Sequence, residues 1–414
     1  MKKYVVGGWV RDKIIGRNPN DKDYVVVGST PEEMIRLGFK PVGKDFPVFL
    51  DNNGNEYALA RTERKTGDKH TDFEFDFNPN TTLDDDLWRR DFTINAIAYD
   101  EETNEYIDPC RGIDNIKQKL IHHITQNGFI EDPLRVLRGF RQAAQLDFEV
   151  APATVGLCTN MVKKGMLEHL TSERIWHEIE KALSSEAVSE RFFYGMRECG
   201  ALGVILPEVD KLFETPEKLE FHPSGTTGIH TMIALSRVNN CSPLVKWAVV
   251  CHDLGKGTTP PEILPAHYDH DIRGLDIIDS ICDRLKVPNE YRKFAKLFCK
   301  THMRIIKINT MSLKKQYDLV SELSDNFKDA KLMTNIQQAF RADFYGERKQ
   351  YTEEDHNLYR STLEKMNKIF WIMNDITVDK LPQEFQDSLS KFSGKKYGEL
   401  LREYKIRYLR NKLK

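Results

Sequence analysis

Lys3-Tyr4-Val5-Val6-Gly7-Gly8-Trp9-Val10-Arg11-Asp12, with Asp21-Lys22-Asp23-Tyr24-Val25-Val26-Val27-Gly28 a few residues on, decides how the chain begins. The apolar pattern predicts a strand over Lys3–Val6, a helix over Trp9–Ile15 and a second strand over Tyr24–Val27. Side chains at i and i+2 of a strand share a face, so Asp21 and Asp23 point one way and Lys22 the other. Two neighbouring carboxylates repel, and Mg²⁺ is a usual counter-charge. Gly7 and Gly8 allow close backbone approach, and the helix behind them offers unpaired N–H donors to an anion. Together these are the parts that phosphoryl or nucleotidyl transfer requires. Taken singly, an Asp-x-Asp is also an ordinary solvated turn, and Gly-Gly an ordinary corner.

The 414 residues exceed one ordinary core, so several domains are expected. With 40% apolar and 30% charged residues the composition is that of a globular protein. A net charge of −2 means that any nucleic-acid surface is a local patch. Seven cysteines, odd in number and without a C-x-x-C, argue against a disulfide framework or a cysteine zinc site. The chain opens on a strand rather than a charged-then-apolar leader, and no apolar run is long enough to span a membrane, so a cytoplasmic location is expected.

Beyond the first corner, Phe46–Asp51 and Glu56–Arg61 read as strands joined at Asn52–Asn55. The polar segment Arg64–Asp86 reads as a loop, with Asp84-Asp85-Asp86 on a solvated surface. From about Ile113 the pattern turns helical. Pro223–Gly228 is the best boundary, with a second break near Pro260-Pro261 and Pro265. Leu401–Lys414 holds six Lys or Arg against one Glu, as a basic helical end.

In Arg89-Arg90-Asp91-Phe92-Thr93-Ile94-Asn95 two guanidiniums could hold a triphosphate, Asp91 could cap the next helix, and Asn95 falls one turn on. Glu63 is a further candidate acid. In Glu131-Asp132-Pro133-Leu134-Arg135, Asp132 and Pro133 read as N-cap and first helical residue. Arg135 and Arg138 then share a face, with Leu134, Leu137, Phe140 and Ala144 turned inward. A carboxylate only accepts and a guanidinium only donates. Such a pair suits the amine-plus-ring-nitrogen edge of cytosine or adenine and mismatches uracil and guanine, at about 1–3 kcal/mol per unsatisfied buried group.

Further on, Leu244–Leu254 is an apolar helical run ending at Gly255 as C′ residue, and it carries Cys251-His252-Asp253. His230, His267, His270, His302 and Asp343 lie around it in the sequence. Imidazoles and carboxylates could converge on Ni²⁺, Mn²⁺, Fe²⁺ or Zn²⁺ and activate a water toward a phosphoester.

Gly7–Asp12 with Asp21-Lys22-Asp23 resembles the head motif of class II nucleotidyltransferases, which include CCA-adding enzymes of tRNA and bacterial poly(A) polymerases. Arg89–Asn95 resembles that family's Arg-Arg-Asp-x-x-x-Asn element, and Glu131–Arg135 its Glu-Asp-x-x-Arg template. His230, His252-Asp253-Leu254-Gly255-Lys256 and Asp343 resemble an HD phosphohydrolase domain. The combination is similar to the gamma-proteobacterial multifunctional CCA branch. The resemblance implies an α+β fold, with a small mixed-sheet, polymerase-beta-like head followed by helical parts. The implied divisions are 1–122 head, 123–145 neck with a base-reading helix, 146–222 tRNA-binding body, 223–345 HD domain and 346–414 helical tail.

It further implies CCA addition to the tRNA 3′ end from CTP and ATP, with Mg²⁺ on Asp21 and Asp23. Gly8, Arg11, Arg90 and Arg138 would contact nucleotide, Asp132 and Arg135 would read the base, and Asp91 and Asn95 would scaffold the pocket. His230, His252, Asp253 and Asp343 would hold a transition metal, with Ni²⁺ among the candidates, for phosphatase, 2′,3′-cyclic phosphodiesterase and 2′-nucleotidase action. His267, His270, His302 and Lys256 are secondary candidates there, the three histidines as second-metal or phosphate ligands. The expected assembly is a monomer or homodimer. A poly(A) polymerase, or an HD hydrolase with a nucleotide-binding head, are the alternatives.

Overall fold

β1 (Lys2–Val6) runs antiparallel to β2 (Asp23–Val27) with Val6 opposite Asp23, and helix α1 (Gly8–Ile15) fills the connection. The computed structural model describes residues 1–19, 22–42, 48–65, 73–76, 79–220, 223–347, 350–376 and 378–413. Around the β1–β2 pair grows a mixed sheet. To one side stand β3 (Lys40–Val42), β4 (Val48–Leu50) and β5 (Glu56–Leu59), and to the other β8 (Ala98–Asp100) and β9 (Glu105–Ile107). The order is β3-β4-β5-β2-β1-β8-β9, and β2–β5 is its parallel pair. Tyr4, Val5 and Val6 are all buried, so β1 is covered on both faces and its apolar residues run on without alternation.

The segment 64–86 differs from the expected loop. β6 (Thr62–Lys65) and β7 (Phe73–Asp76) form a hairpin, and helix α2 (Leu83–Trp88) follows. Thr82 and Asp85 close a reciprocal capping box at the start of α2. The acidic run is therefore a first helical turn, where carboxylates meet the positive end of the dipole.

Two compact units divide the chain: Met1–Ala182 with Ala187–Ile205, and Leu183–Glu186 with Leu206–Lys414. Apart from the head, the first unit is largely helical. α3 (Gln126–Glu131) leads into α4 (Arg135–Leu146), against which α5 (Ser172–Ala182) and α6 (Ser189–Glu198) pack. α4 buries Val136, Leu137, Phe140, Ala143 and Ala144, as its periodicity required. A short parallel pair, β10 (Leu120–Ile121) with β11 (Glu149–Val150), interrupts the helical run.

The second unit is helical: α7 (Thr227–Ser236), α8 (Pro243–Cys251), α9 (His270–Leu285), α10 (Asn289–Ile305), α11 (Ala330–Phe344), α12 (Glu353–Asn374) and α13 (Gly394–Leu413). α8 ends sooner than its apolar run suggests. His252 is its C-cap, and Leu254–Thr258 form a 3-10 turn rather than a further α-turn with Gly255 as C′ residue. Ending there turns His252 and Asp253 inward together. In the basic tail helix, Ile406 and Leu409 are buried. Among the described residues no helix is long and apolar enough to cross a membrane.

Candidate functional site

The first unit gathers its charged groups at the β1–α1 corner. Gly7 has φ +76°, a left-handed conformation that suits glycine. A Cβ placed there would stand 3.6 Å from Arg90 Nη1 and 3.7 Å from Asp23 Oδ2. An exposed acid and a guanidinium thus flank a bare stretch of backbone. Asp21 lies outside the described residues, and so does the side chain of Glu63.

The arginines are held from below. Asp86 has no exposed surface, and its two oxygens accept from Arg89 Nη2 at 2.6 Å and Arg90 Nη2 at 2.9 Å. Burial alone would raise its carboxyl, yet Arg90 and Arg89 hold it below its ordinary value. Asp84 and Asp85 are exposed, as the solvated reading expects, but Asp86 is not: α2 places it three and four residues before the arginines it orients.

A second network runs deeper. Arg11 Nη1 donates to Asn95 Oδ1 at 2.9 Å, while Asn95 Nδ2 donates to Asp91 Oδ1 and to Gln142 Oε1, each at 3.1 Å. Asp91 Oδ2 pairs with Arg138 Nη2 at 2.9 Å. Burial would raise Asp91, and Arg138, Asn95 and Arg135 outweigh it, leaving Asp91 below its ordinary value. Asp91 does not cap a helix with its side chain as expected; the following 3-10 turn (Thr93–Asn95) starts from Phe92. Gly8 begins α1, close beneath the Arg11 guanidinium.

Asp132 and Arg135 stand one turn before and at the start of α4, which begins at Arg135 rather than at Pro133. The entry is a tighter turn in which Asp132 Oδ1 accepts from Leu134 N and Asp132 O from Arg135 N. Asp132 Oδ2 pairs with Arg174 Nη2 at 2.9 Å. Arg135 donates to the carbonyls of Gly128 and Arg89, and its Nε is buried without a hydrogen bond among the described residues. Gln142 and Arg174 escaped sequence reasoning, because only the helix packing brings them here.

The second unit gathers two trios, His230–His252–Asp343 and Asp253–His270–His302, and the ligand atoms in each lie within 4.8 Å of one another. Asp253 links them, with Oδ2 3.2 Å from His252 Nε2 and Oδ1 3.3 Å from His270 Nε2. The tautomers follow from the backbone. His252 Nδ1 meets Val249 O, His270 Nδ1 meets His267 O and His302 Nδ1 meets Cys299 O, each at 2.7 Å. A carbonyl only accepts, so each Nδ1 carries the hydrogen and each Nε2 turns a lone pair inward. His230 Nδ1 stands 2.6 Å from Glu347 Oε1.

His270 Nε2 and His302 Nε2 are 3.1 Å apart. Two facing lone pairs repel, whereas two tetrahedral ligands on bonds of about 2.0–2.1 Å lie about 3.3 Å apart. His252 Nε2 and Asp253 Oδ1 are also buried without an aligned hydrogen bond among the described residues. These side chains therefore fit divalent cations. Burial would lower His230 and His252, but the surrounding carboxylates push them up to about 9 and about 10, so a cation held there would displace a proton from each before taking its Nε2 lone pair. Burial holds His302 down at about 4, neutral as a ligand must be.

Two sequence candidates stand apart from the trios. His267 meets Thr259 Oγ1 through Nδ1 and Pro216 O through Nε2, so both nitrogens are occupied. Lys256 Nζ lies 2.9 Å from Asp253 Oδ2 and 2.8 Å from Glu217 Oε1, so it orients a ligand rather than facing a substrate as a free charge. Glu217 and Glu347 were not foreseen. Glu347 lies past the end of α11 at Phe344, so no helical spacing ties it to Asp343, and Glu217 carries no such signal either. A cavity of about 280 Å³ opens beside the cluster, lined in part by Lys218, Tyr268 and Met303.

Residues 3–122 match the poly A polymerase head domain, and residues 147–213 match a family described as a probable RNA- and SrmB-binding site of polymerase A. The whole chain has the α+β fold seen in CCA-adding enzymes. The Bacillus stearothermophilus CCA-adding enzyme in complex with CTP superposes with a TM-score of 0.64 at 22% identity, over 97% of this chain and 87% of that one. The Thermotoga maritima CCA-adding enzyme complexed with tRNA gives 0.61 at 22%, over 98% and 87%. A CCA-adding enzyme with ATP gives 0.62 at 21%, over 98% and 85%.

Proposed function

We propose that the chain adds C, C and A to the 3′ end of tRNA from CTP and ATP without a nucleic-acid template. The observation that carries this reading is the bare Gly7 backbone with Asp23 on one side and Arg90 on the other. The head-domain match over residues 3–122 and the fold of enzymes solved with CTP, ATP and tRNA support it. Asp23, with Asp21, would hold Mg²⁺, which supplies neutralising charge to the triphosphate and lowers the pKa of the RNA 3′-hydroxyl.

The remaining work is done by side chains. Arg90, braced by Asp86, binds triphosphate oxygens. Arg11 and Arg138, tied together through Asn95 and Asp91, fix the sugar and phosphates against α1 and α4. Asp132 keeps acceptor capacity beyond its bonds to Leu134 and Arg174, and Arg135 adds the donor, so cytosine and adenine are admitted by their pairing edges. In this reading 1–122 is the head, 123–145 the base-reading neck and 146–222 the tRNA-binding body. Offered CTP alone, tRNA lacking its terminus should gain two residues and stop; no incorporation would favour a poly(A) polymerase.

The second unit, across 223–345, would be an HD-type phosphohydrolase acting on phosphomonoesters and 2′,3′-cyclic phosphates. The two trios would hold divalent metal, which would supply an activated water and polarise the phosphoester. Asp253 spans both positions, Lys256 and Glu217 keep it in place, and Glu347 orients His230. The adjoining cavity admits the ester. Metal-stripped protein should lose 2′,3′-cyclic AMP hydrolysis and regain it on adding Ni²⁺ or Mn²⁺; hydrolysis that survives stripping would refute this half.

A further inference from the structure

A second cavity, of about 510 Å³, lies in the second unit beside the metal trios, and the two functions above leave it unused. Its lining is Arg237, Arg341, Tyr345, Tyr351, His356 and Tyr359. Arg237 is the C-cap of α7, Arg341 lies in the last turn of α11, and His356 and Tyr359 lie on the first turns of α12. Both arginines are exposed, and neither guanidinium makes an ion pair or hydrogen bond among the described residues.

Arg89, Arg90, Arg138 and Arg174, by contrast, each have a carboxylate partner. Asp355, on the first turn of α12, is engaged in that helix's capping box. Two unpaired guanidiniums at one cavity select a dianion able to take several charge-assisted hydrogen bonds, and phosphate is the common case.

The rest of the lining is an aromatic wall held rigid. Tyr345 Oη meets His356 Nδ1 at 2.9 Å, and Tyr351 Oη accepts from Glu347 N at 3.0 Å. Tyr345 stands edge-on to Tyr351 at 4.8 Å and to Tyr359 at 5.1 Å between ring centroids. Burial pushes all three phenols up, with Arg341 acting against it at Tyr345 and Tyr359 and Arg237 at Tyr351, so the guanidinium charge is felt along the wall. Fixed rings of this kind stack on a nucleobase without regard to its identity. The volume exceeds what phosphate alone needs and lies within the range of small-ligand pockets.

We propose that this cavity binds a nucleotide unit, its phosphate on Arg237 and Arg341 and its base against the tyrosines, at a site separate from both reaction centres. The unit can come from a free mononucleotide or from an RNA strand. An occupant would also touch Tyr351, whose hydroxyl meets the backbone of Glu347, the residue that orients His230.

The test is equilibrium titration of the full chain in EDTA, using Arg90→Ala protein so that the head pocket is weakened. The probes are AMP, a five-nucleotide RNA, phenyl phosphate and inorganic phosphate. AMP or the RNA should bind, and affinity should fall tenfold or more in the additional Arg237→Gln/Arg341→Gln variant with its melting temperature kept. Tyr359→Ala should weaken AMP severalfold while leaving inorganic phosphate unchanged. Binding of the RNA alone identifies a strand as the source, and binding of AMP identifies a free nucleotide. The proposal is overturned by any of three results: no probe binds, the double variant binds as before, or phenyl phosphate or inorganic phosphate binds as tightly as the AMP or RNA that does bind. In an otherwise wild-type chain, Arg237→Gln/Arg341→Gln should leave CTP incorporation unchanged.

Discussion

Asp86 carries two guanidiniums on one buried carboxylate, which makes it the residue whose loss is easiest to predict. Asp86→Asn keeps the shape and removes the charge. Arg89 and Arg90 retain some exposure and can hydrate, so the stability cost should be about 1–3 kcal/mol rather than that of a fully buried pair. The larger effect should fall on the nucleotide, with KM for CTP rising at least tenfold because Arg90 is no longer aimed past Gly7. The pH dependence follows from Asp86 lying below its ordinary value in the folded chain. Its pairing stabilises above about pH 4 and is lost as pH falls through the lower, folded value. The melting-temperature gap between wild type and Asp86→Asn should therefore be widest near neutrality and close in acid; a gap that widened in acid would contradict the ion-pair account. The sequence concealed this residue for a simple reason. A run of three acids looks solvated, and the i+3 and i+4 relation to Arg89 and Arg90 has meaning only once α2 is known to be a helix. The Asp91–Asn95 pair, by contrast, was legible, because both ends of that short contact lie within one turn.

Among the elements, the 3-10 turn Leu254–Thr258 shows how closely packed backbone sets the candidate metal site. A Cβ on Gly255 would stand 2.0 Å from His270 O and 2.7 Å from Gly274 N, so α9 rests directly on the turn. Gly255→Ala must separate them. Because the clash is with backbone, overpacking should cost about 1–3 kcal/mol or more. The separation carries His270 away from Asp253, so the Asp253–His270–His302 trio should lose its metal while CTP incorporation persists. Metal content after dialysis, read beside a primer-extension assay, checks both halves; full metal occupancy in Gly255→Ala would refute the packing argument. The sequence revealed α8 by its apolar period but misplaced its end, since Leu254 continues that period although the chain has already turned. The β6–β7 hairpin is half hidden: β6, Thr62–Lys65, carries no apolar residue, whereas β7 alternates Phe73 and Phe75 with Glu74 and Asp76, a strand signal that the loop reading passed over. Where burial drives an element, as in β1, β2 and α4, pattern and structure agree.

For the whole molecule the decisive feature is that the two candidate reaction centres draw on different compact units and different ligand chemistry. Asp23, Arg90 and their braces come from the first unit, with oxygen ligands suited to a hard ion such as Mg²⁺. The six trio residues come from the second and are mostly imidazole, which suits softer divalent ions. No residue named at one centre takes part in the other, so losses should not cross. Asp23→Ala should cut CTP incorporation by 10³-fold or more while cyclic-nucleotide hydrolysis stays within twofold of wild type, and His252→Ala should do the reverse. Metal replacement should split the same way. After exhaustive chelation, Mg²⁺ alone should restore nucleotide addition without hydrolysis, and Ni²⁺ or Mn²⁺ should restore hydrolysis. Each outcome has its own bearing. Hydrolysis lost in Asp23→Ala would mean a shared site, incorporation kept in Asp23→Ala would remove the transferase reading alone, and hydrolysis kept in His252→Ala would remove the phosphohydrolase alone.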